Sequence, residues 1–140
     1  MPFSTLLIGN ESLTVACAEA LLDAGNSITA LVTRNADVAT WGAARGLRVE
    51  PQDGGLSARL AGISVDWLLS IANLSVIPAP VLALAGKGAV NFHDGPLPRH
   101  AGLNAPVWAI LEGEARHGIT WHLMSGGVDE GEIVLQAMFD

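Results

Sequence analysis

The amino-acid sequence predicts an α/β fold with a mostly parallel sheet and helices on both of its faces. Short apolar runs rich in branched residues alternate along the chain with segments of helical spacing. Glycine and proline stand at the boundaries of these segments. Half of the 140 residues are hydrophobic, which allows a sizeable core. Strands that alternate with helices form parallel neighbours, and we expect residues 1–140 to make one domain.

The predicted elements follow one another in a regular order. Strands are predicted at residues 6–9, 27–33, 47–50, 66–71 and 89–92, and a closing pair at 117–124 and 132–138. Helices are predicted at residues 12–22, 37–45, 56–61, 78–85 and 105–111. Gly25 and Gly46 end the first two helices, and Pro78 and Pro106 suit first turns of helices.

Composition excludes several function classes. The chain has 14 acidic and 7 basic side chains, a net charge of −7, which disfavours nucleic acid and anionic membranes as partners. We expect no signal peptide and no membrane span, because no basic stretch opens the chain and no apolar run is long enough. Cys17 stands alone in an apolar run, which favours a buried hydrophobe over a nucleophile and fits a reducing cytoplasm. The four histidines lack zinc-ligand spacing, so no metal is expected.

Polar residues collect where the predicted strands end. Gly9 and Asn10 follow the first strand, Ala72 and Asn73 follow the strand at 66–71, and Asn91 and His93 end the strand at 89–92. Residues at i and i+2 of a strand share a face, so Asn91 and His93 point the same way. Ligands of open α/β sheets bind at this rim. An aspartate in a glycine-rich turn, Asp129, can join the amide and the imidazole, and these three groups suffice to move a one-carbon acyl unit.

The Gly9-Asn10-Glu11-Ser12 segment is a weaker candidate. It precedes a helix and could cradle a substrate anion, but Glu11 would repel phosphate. Because Gly9 is not followed by the spaced glycines of a dinucleotide fingerprint, dinucleotide binding is disfavoured. Gly9 and Asn10 are kept as candidate substrate contacts.

Three motifs in order carry a resemblance to a known family. They are Asn91-Phe92-His93 with Pro98 and Gly102 downstream, Gly118-Ile119-Thr120-Trp121-His122, and Val128-Asp129-Glu130-Gly131-Glu132-Ile133-Val134. From about residue 66 onward the chain resembles the folate-dependent formyltransferases. That family includes glycinamide ribonucleotide, methionyl-tRNA and sugar-amine formyltransferases, formyltetrahydrofolate deformylase and formylation domains of nonribosomal peptide synthetases. The resemblance implies a Rossmann-like, formyltransferase-type fold.

The resemblance also implies a reaction, in which an unprotonated primary amine attacks the formyl carbon of 10-formyltetrahydrofolate. Asn91, His93 and Asp129 match the family's catalytic residues. An asparagine amide can donate to the developing oxyanion, and a histidine, with an ordinary pKa near 6.5, can donate to that oxygen or shuttle a proton. Asp129 would orient the imidazole or accept the amine proton. Taken singly, Asn91 and Asp129 could be turn residues and His93 a satisfied rim histidine.

A cofactor pocket follows from the same resemblance. One wall of the pterin slot is formed by residues of the segment 73–77, namely Asn73, Leu74, Ser75, Val76 and Ile77. The other wall is formed by Ser125, Gly126, Gly127 and Val128. His122 matches a histidine near the family's folate loop, but on a strand it could simply be half buried. Leu74, Val76 and Ile77 could equally be ordinary core.

The chain departs from the family in one motif. Where much of the family has His-Pro-Ser-Leu-Leu-Pro, this chain has His93-Asp94-Gly95-Pro96-Leu97-Pro98, and Asp94 could engage a cationic substrate amine. The phrase from residue 91 to 108 is most similar to the formyltransferase-like domains of peptide synthetase modules. We therefore expect an aminoacyl carrier protein as acceptor, neighbouring synthetase domains, and a chain truncated before the family's last helices. The alternatives are a hydrolase of the same cofactor and a non-catalytic interaction module.

Overall fold

The computed structural model describes residues 1–124 and 130–140. Its strands are β1 (Ser4–Gly9), β2 (Ser27–Thr33), β3 (Val49–Pro51), β4 (Val65–Ile71), β5 (Ala85–His93), β6 (His117–Leu123) and β7 (Ile133–Phe139). Its helices are α1 (Ser12–Asp23), α2 (Ala36–Ala44), α3 (Leu56–Arg59), α4 (Ala79–Leu82) and α5 (Ala105–Leu111). The predicted α/β fold with a mostly parallel sheet is confirmed. The chain divides into two units, Met1–Ala89 and Val90–Asp140, and β5 runs from the first into the second.

The first unit is built on the parallel strands β3-β2-β1-β4, and β5 follows β4 in the order of the sheet. β1 pairs in parallel with both β2 and β4, and β2 pairs in parallel with β3. Leu6, Leu7 and Ile8 of β1 are fully buried, because a central parallel strand is covered on both faces. Pro51 ends β3, which lies at the edge of the sheet where a proline leaves no ladder bond unmade.

A glycine fixes the end of β1. A Cβ at Gly9 would lie 2.1 Å from Thr14 Oγ1 and 2.3 Å from the Ile71 carbonyl oxygen. The Thr14 hydroxyl donates a hydrogen bond to that same carbonyl at 3.1 Å, which joins α1 to the end of β4. Gly9 is therefore required for close packing at this position.

The second unit is antiparallel. β5 pairs with β6 and β6 with β7, and the register places Asn91 opposite His122 and His93 opposite Thr120. Because side chains alternate along a strand, these four polar residues share one face, while Phe92 and Trp121 take the other. The Phe92 and Trp121 rings meet edge to face, 5.1 Å apart.

Most element boundaries agree with the prediction, and the segment before β5 is the main exception. The helix predicted to run to residue 85 ends at Leu82, and β5 begins at Ala85, four residues earlier than predicted. The Val65 amide already donates to the Leu84 carbonyl at 3.0 Å, so strand pairing begins before the apolar part of the strand. None of the helices within residues 1–124 and 130–140 has the length and hydropathy of a membrane span.

Candidate functional site

Asn91 and His122 form a hydrogen-bonded pair in the second unit. Asn91 Nδ2 lies 3.3 Å from His122 Nε2, and His122 is only 2% exposed. His122 Nδ1 faces the carbonyl oxygens of Leu123, at 3.0 Å, and Glu130, at 3.2 Å. Since carbonyls only accept, Nδ1 carries the proton and Nε2 accepts from the Asn91 amide. This fixes which end of the Asn91 amide faces His122. The His122 ring is buried and not half-buried, and its role in the site stays a prediction.

His93 is also buried, with 6% of its surface exposed. Its Nε2 lies 2.7 Å from the His100 carbonyl oxygen, so Nε2 carries a proton and donates it. A neutral ring therefore has its lone pair on Nδ1, which lies 3.9 Å from Asp94 Oδ1. The Asp94 side chain is 52% exposed, and it is the acidic side chain that the altered motif brings to this histidine.

The loop after His93 is held by Thr120. The Thr120 hydroxyl donates to the Gly95 carbonyl at 2.7 Å and accepts from the Leu97 amide at 3.1 Å. Gln136 on β7 donates to both the Thr120 hydroxyl and the Leu97 carbonyl. Neither Thr120 nor Gln136 was predicted from the sequence. Thr120 could have been found because it lies two residues before His122 on β6 and so shares its face, and Gln136 lies opposite Thr120 on β7.

Gly95 packs against the imidazole of His93. A Cβ at this position would lie 2.9 Å from His93 Nε2 and 3.0 Å from the Ala105 Cβ. Such contacts are tighter than normal packing allows, so a larger residue would displace the imidazole. Gly95, which replaces a larger residue of the family's motif, therefore leaves room for the His93 ring.

The first unit carries a chain of neutral amides where β1 and β4 end. Asn10 Nδ2 donates to Gln52 Oε1 at 3.1 Å, and Gln52 Nε2 donates to Asn73 Oδ1 at 2.9 Å. Asn73 Nδ2 in turn donates to the Ser75 carbonyl at 3.0 Å. The predicted residues Gly9, Asn10 and Asn73 are therefore brought together within this unit. Gln52, which joins them, was missed because it lies in a segment that predicted only a loop.

The predicted pterin wall is exposed in part. Leu74 and Val76 are 84% and 91% exposed, so ordinary core is the wrong interpretation for both, whereas Ile77 is buried at 5%. Ser75 and Val76 line a cavity of about 250 Å³ together with Arg34 and Gln52. A second cavity of about 250 Å³ is lined by Arg34, Ser75 and Leu74 and reaches Asn10. The segment therefore offers the apolar side chains of Leu74 and Val76 to a ligand.

The pKa values of Asp53 and Cys17, both in the first unit, are shifted. Asp53 lines the first cavity, and hydrogen bonds from Arg59 and from the Gly55 amide lower the pKa of its carboxyl. The prediction that Cys17 is buried is wrong, because the residue is only partly buried. Its partial burial still raises the pKa of the thiol, which disfavours a nucleophilic thiolate.

One cluster has the composition of a metal site. His100, Glu112 and Glu114 each offer a ligand atom, and these atoms lie within 4.8 Å of one another. Arg99 pairs with both carboxylates, at 3.7 Å to Glu112 and more closely to Glu114. The Arg99 guanidinium therefore supplies the positive charge that a metal ion would otherwise bring to these two carboxylates. Histidine spacing alone did not find the cluster, because two of its members are glutamates.

Part of the predicted site cannot be placed. Catalytic Asp129 and the pterin-wall residues Ser125, Gly126, Gly127 and Val128 lie outside the described residues. Their assignments remain predictions.

Comparison with known proteins gives the family. Residues 45–140 match the model of the formyl transferase family. A methionyl-tRNA formyltransferase of Anaeromyxobacter dehalogenans is 33% identical over 145 residues, covering 92% of this chain and 46% of that protein. A GDP-perosamine N-formyltransferase of Brucella melitensis is 40% identical over 76 residues, covering 54% of this chain and 29% of that protein. The chain belongs to the formyl transferase family, and it spans less than half the length of these two relatives.

Solved structures share the fold. Glycinamide ribonucleotide transformylase 1 from Symbiobacterium toebii superposes with a TM-score of 0.82 at 22% identity, covering 99% of this chain and 73% of that one. A formyltetrahydrofolate deformylase from Pseudomonas syringae gives a TM-score of 0.86 at 17% identity, covering 99% of this chain and 51% of that one. At these identities the likeness establishes the fold alone.

Proposed function

We propose that this chain transfers a formyl group from 10-formyltetrahydrofolate to a primary amine. The observation that carries the proposal is the hydrogen bond between half-buried Asn91 and buried His122, with buried His93 two residues from Asn91 on the same strand face, in a member of the formyl transferase family. Burying an imidazole costs free energy unless it is hydrogen-bonded, and both buried rings have hydrogen-bond partners here.

Asn91 is assigned to the formyl oxygen. One N–H of the Asn91 side-chain amide donates to His122, which holds the amide in place. The second N–H is therefore already oriented, and it can donate to the negative charge that develops on the formyl oxygen. His122 is a positioning residue in this scheme. Because His122 Nδ1 carries the proton, Nε2 accepts from Asn91, and the Asn91 amide nitrogen is the group that faces the site.

His93 is assigned to proton transfer. Its Nε2 is held by the His100 carbonyl, and Nδ1 is the atom that takes up a proton and returns it. Asp129, by the family resemblance, orients this ring or accepts the proton of the attacking amine. Asp94, beside Nδ1, can bind the acceptor amine in its cationic form, before that amine gives a proton to His93 Nδ1 and attacks as the free amine.

The segment 73–77 is assigned to the pterin ring of the formyl donor. Exposed Leu74 and Val76 give an apolar surface for a flat heterocycle, and the Asn73 amide holds the backbone through Ser75. The residues present therefore fit the group. When bound, 10-formyltetrahydrofolate supplies the formyl group, and the family resemblance adds residues 125–128 as a second wall.

The acceptor is proposed to be an aminoacyl group on a carrier protein of a peptide synthetase. The segment from residue 91 to 108 supports this, because it resembles the formyltransferase-like domains of peptide synthetase modules. A net charge of −7 disfavours an RNA acceptor. The two relatives are named for methionyl-tRNA and GDP-perosamine, so family membership does not set the acceptor. We place the activity in the cytoplasm, beside neighbouring synthetase domains.

The test is a turnover assay in three conditions: no amine, a free amino acid amide, and an aminoacyl carrier protein. Release of tetrahydrofolate and the mass of the product are followed together. Amine-dependent release with a formylated carrier is expected, and His93→Ala lowers turnover by about 10²–10⁴-fold. The matched control is His117→Gln in the same unit, which keeps a donor for the Asp94 carbonyl.

Two outcomes contradict the proposal. Formate release without amine at an unchanged rate identifies a hydrolase. Absence of both turnover and folate binding in the folded chain identifies a non-catalytic module.

A further inference from the structure

Arg34 differs from the other arginines of the chain. It follows β2 and lines both cavities of the first unit. Four other arginines pair with carboxylates, and they are Arg48, Arg59, Arg99 and Arg116. Arg45 lies over the Trp41 ring, 5.5 Å from its centre. Within residues 1–124 and 130–140, Arg34 makes no ion pair, and its partners are neutral oxygens.

The Arg34 guanidinium is held in place by those neutral partners. Its Nε donates to the Gln52 carbonyl at 3.3 Å, and one Nη nitrogen donates to the Ser75 hydroxyl. Its backbone N–H donates to Asn10 Oδ1 at 2.6 Å. A guanidinium has five N–H donors, and these contacts use two of them among the described residues. The Arg34 guanidinium is therefore held in position, and three of its N–H donors remain for a ligand among the described contacts.

The acidic side chains near Arg34 do not neutralise it. Asp53, on the first cavity, is bound by Arg59 at 2.8 Å. Glu11, on the second cavity, is an exposed side chain, and solvent and salt screen its charge. Arg34 is itself exposed, and it lines both cavities with neutral hydrogen-bond partners in a chain of net charge −7. Planar guanidinium groups bind phosphate and carboxylate through paired hydrogen bonds.

We infer that Arg34 binds an oxyanion, phosphate or carboxylate, carried by the formyl acceptor. Naming the acceptor as the carrier of this anion rests on the proposed function, but anion binding itself does not. An aminoacyl group on a phosphopantetheine arm has a phosphodiester, whereas a free amino acid has a carboxylate. Arg34 is then a specificity-determining residue, and it selects acceptors that carry a negative group.

The experiment is an anion titration followed by two-dimensional NMR of the backbone amides of Asn35 and Ser75. Inorganic phosphate and acetate are added separately, with chloride adjusted to keep ionic strength constant. Saturable shifts are expected, and R34Q weakens the apparent affinity by at least about tenfold. R45Q, which removes an exposed arginine of the same unit, leaves the affinity unchanged. R34K keeps the charge without the planar fork and gives an intermediate loss.

Preference for phosphate over acetate supports a phosphorylated acceptor, and the reverse preference supports a carboxylate acceptor. Linear shifts with both anions, or equal affinity in wild type and R34Q, overturn the inference. Thermal midpoints of each variant are measured alongside, and if R34Q is unfolded the R34K comparison decides. Saturable anion binding without formyl transfer would leave the inference standing and remove the proposed function. Formyl transfer without saturable anion binding would do the opposite.

Discussion

The two units of the chain bury different kinds of side chain. In Met1–Ala89 the buried polar residues are small hydroxyls, and the rest of the core is aliphatic, as in β1. In the described part of Val90–Asp140 the buried apolar side chains are Leu97, Ala105 and Ala109, while His93, Thr120 and His122 are buried as well. Parallel and antiparallel pairing account for part of this, because a central parallel strand is covered on both faces.

The difference separates two sources of stability. The first unit depends on apolar area removed from water, which is non-directional and tolerant of small shifts. The second depends on hydrogen bonds between buried groups, which are directional and costly when one partner is lost. The residues assigned to catalysis, such as Asn91 and His93, belong to the second unit. Arg34, which is assigned to ligand selection, lies where a strand of the first unit ends. Substitutions matched between the units can therefore break or sharpen the contrast.

The largest expected effect comes from the two asparagines. Asn91→Ala should lower kcat by about 10²–10³-fold, because an oriented oxyanion donor is removed. Asn10→Ala should instead lower the free energy of unfolding by about 2 kcal/mol, since Asn10 Oδ1 accepts from Arg34 and Nδ2 donates to Gln52. Turnover with saturating substrates and thermal unfolding separate the two. A kcat loss in Asn10→Ala equal to that in Asn91→Ala would contradict the contrast.

Glycine substitutions give the next effect, on stability alone. Gly9→Ala should lower the free energy of unfolding by about 3 kcal/mol, because its Cβ would overlap the Thr14 hydroxyl and the Ile71 carbonyl. Gly54→Ala is the matched control, since nothing lies within 4 Å of its Cβ, and it should change stability by less than about 0.5 kcal/mol. Denaturant unfolding measures both. Equal stability of the two variants would show that β1 and α1 adjust freely.

Buried threonines test the hydrogen-bond side of the comparison. Thr120→Val should cost about 2 kcal/mol, because it leaves the Gly95 carbonyl and the Leu97 amide without their partner. Thr14→Val in the first unit removes one bond, to Ile71, and should cost about 1 kcal/mol. Thr120→Val should also lower turnover, because the loop beside His93 loosens. The same stability loss in both variants, with turnover intact, would remove the distinction.

Much of the fold was predictable because local signals agreed with the tertiary structure. Branched runs such as residues 27–33 became strands at the predicted bounds, and α5 was predicted residue for residue. The start of β5 was not, because Gly86 and Gly88 carry no strand signal and only pairing beside β4 makes this segment extended.

The candidate site was predictable where motif order marked it. Asn91, His93 and His122 were named from the sequence, and the structure buries the two histidines and pairs Asn91 with His122. Gln52 and Arg34 were not named, because their role depends on which loops meet at the end of the first unit's strands. Chain order does not contain that information, since residue 52 and residue 73 are bonded across 21 positions.

The smallest expected effect concerns the exposed ion pairs of the first unit. Hydrogen bonds from Arg48 and then Arg59 lower the pKa of the Glu50 carboxyl, and Arg59 does the same for Asp53. A carboxyl whose folded pKa is depressed stabilises the fold above its unfolded pKa, and that contribution is lost as pH falls through the folded value. The difference in unfolding free energy between wild type and the E50Q/D53N double variant should therefore be largest near neutrality.

This difference should shrink as pH falls below the ordinary values of 4.5 and 3.8, and 1 M salt should reduce it at every pH. Asp140→Asn is the counterpart in the second unit, where Arg116 and Asp140 are 61% and 89% exposed. It should change nothing measurable, because an ion pair so open to solvent contributes little. Denaturant unfolding from pH 7 to pH 3 measures all three proteins. A stability difference that grows on acidification would mean that the arginines do not favour the charged carboxylates, and that apolar burial alone sustains the first unit.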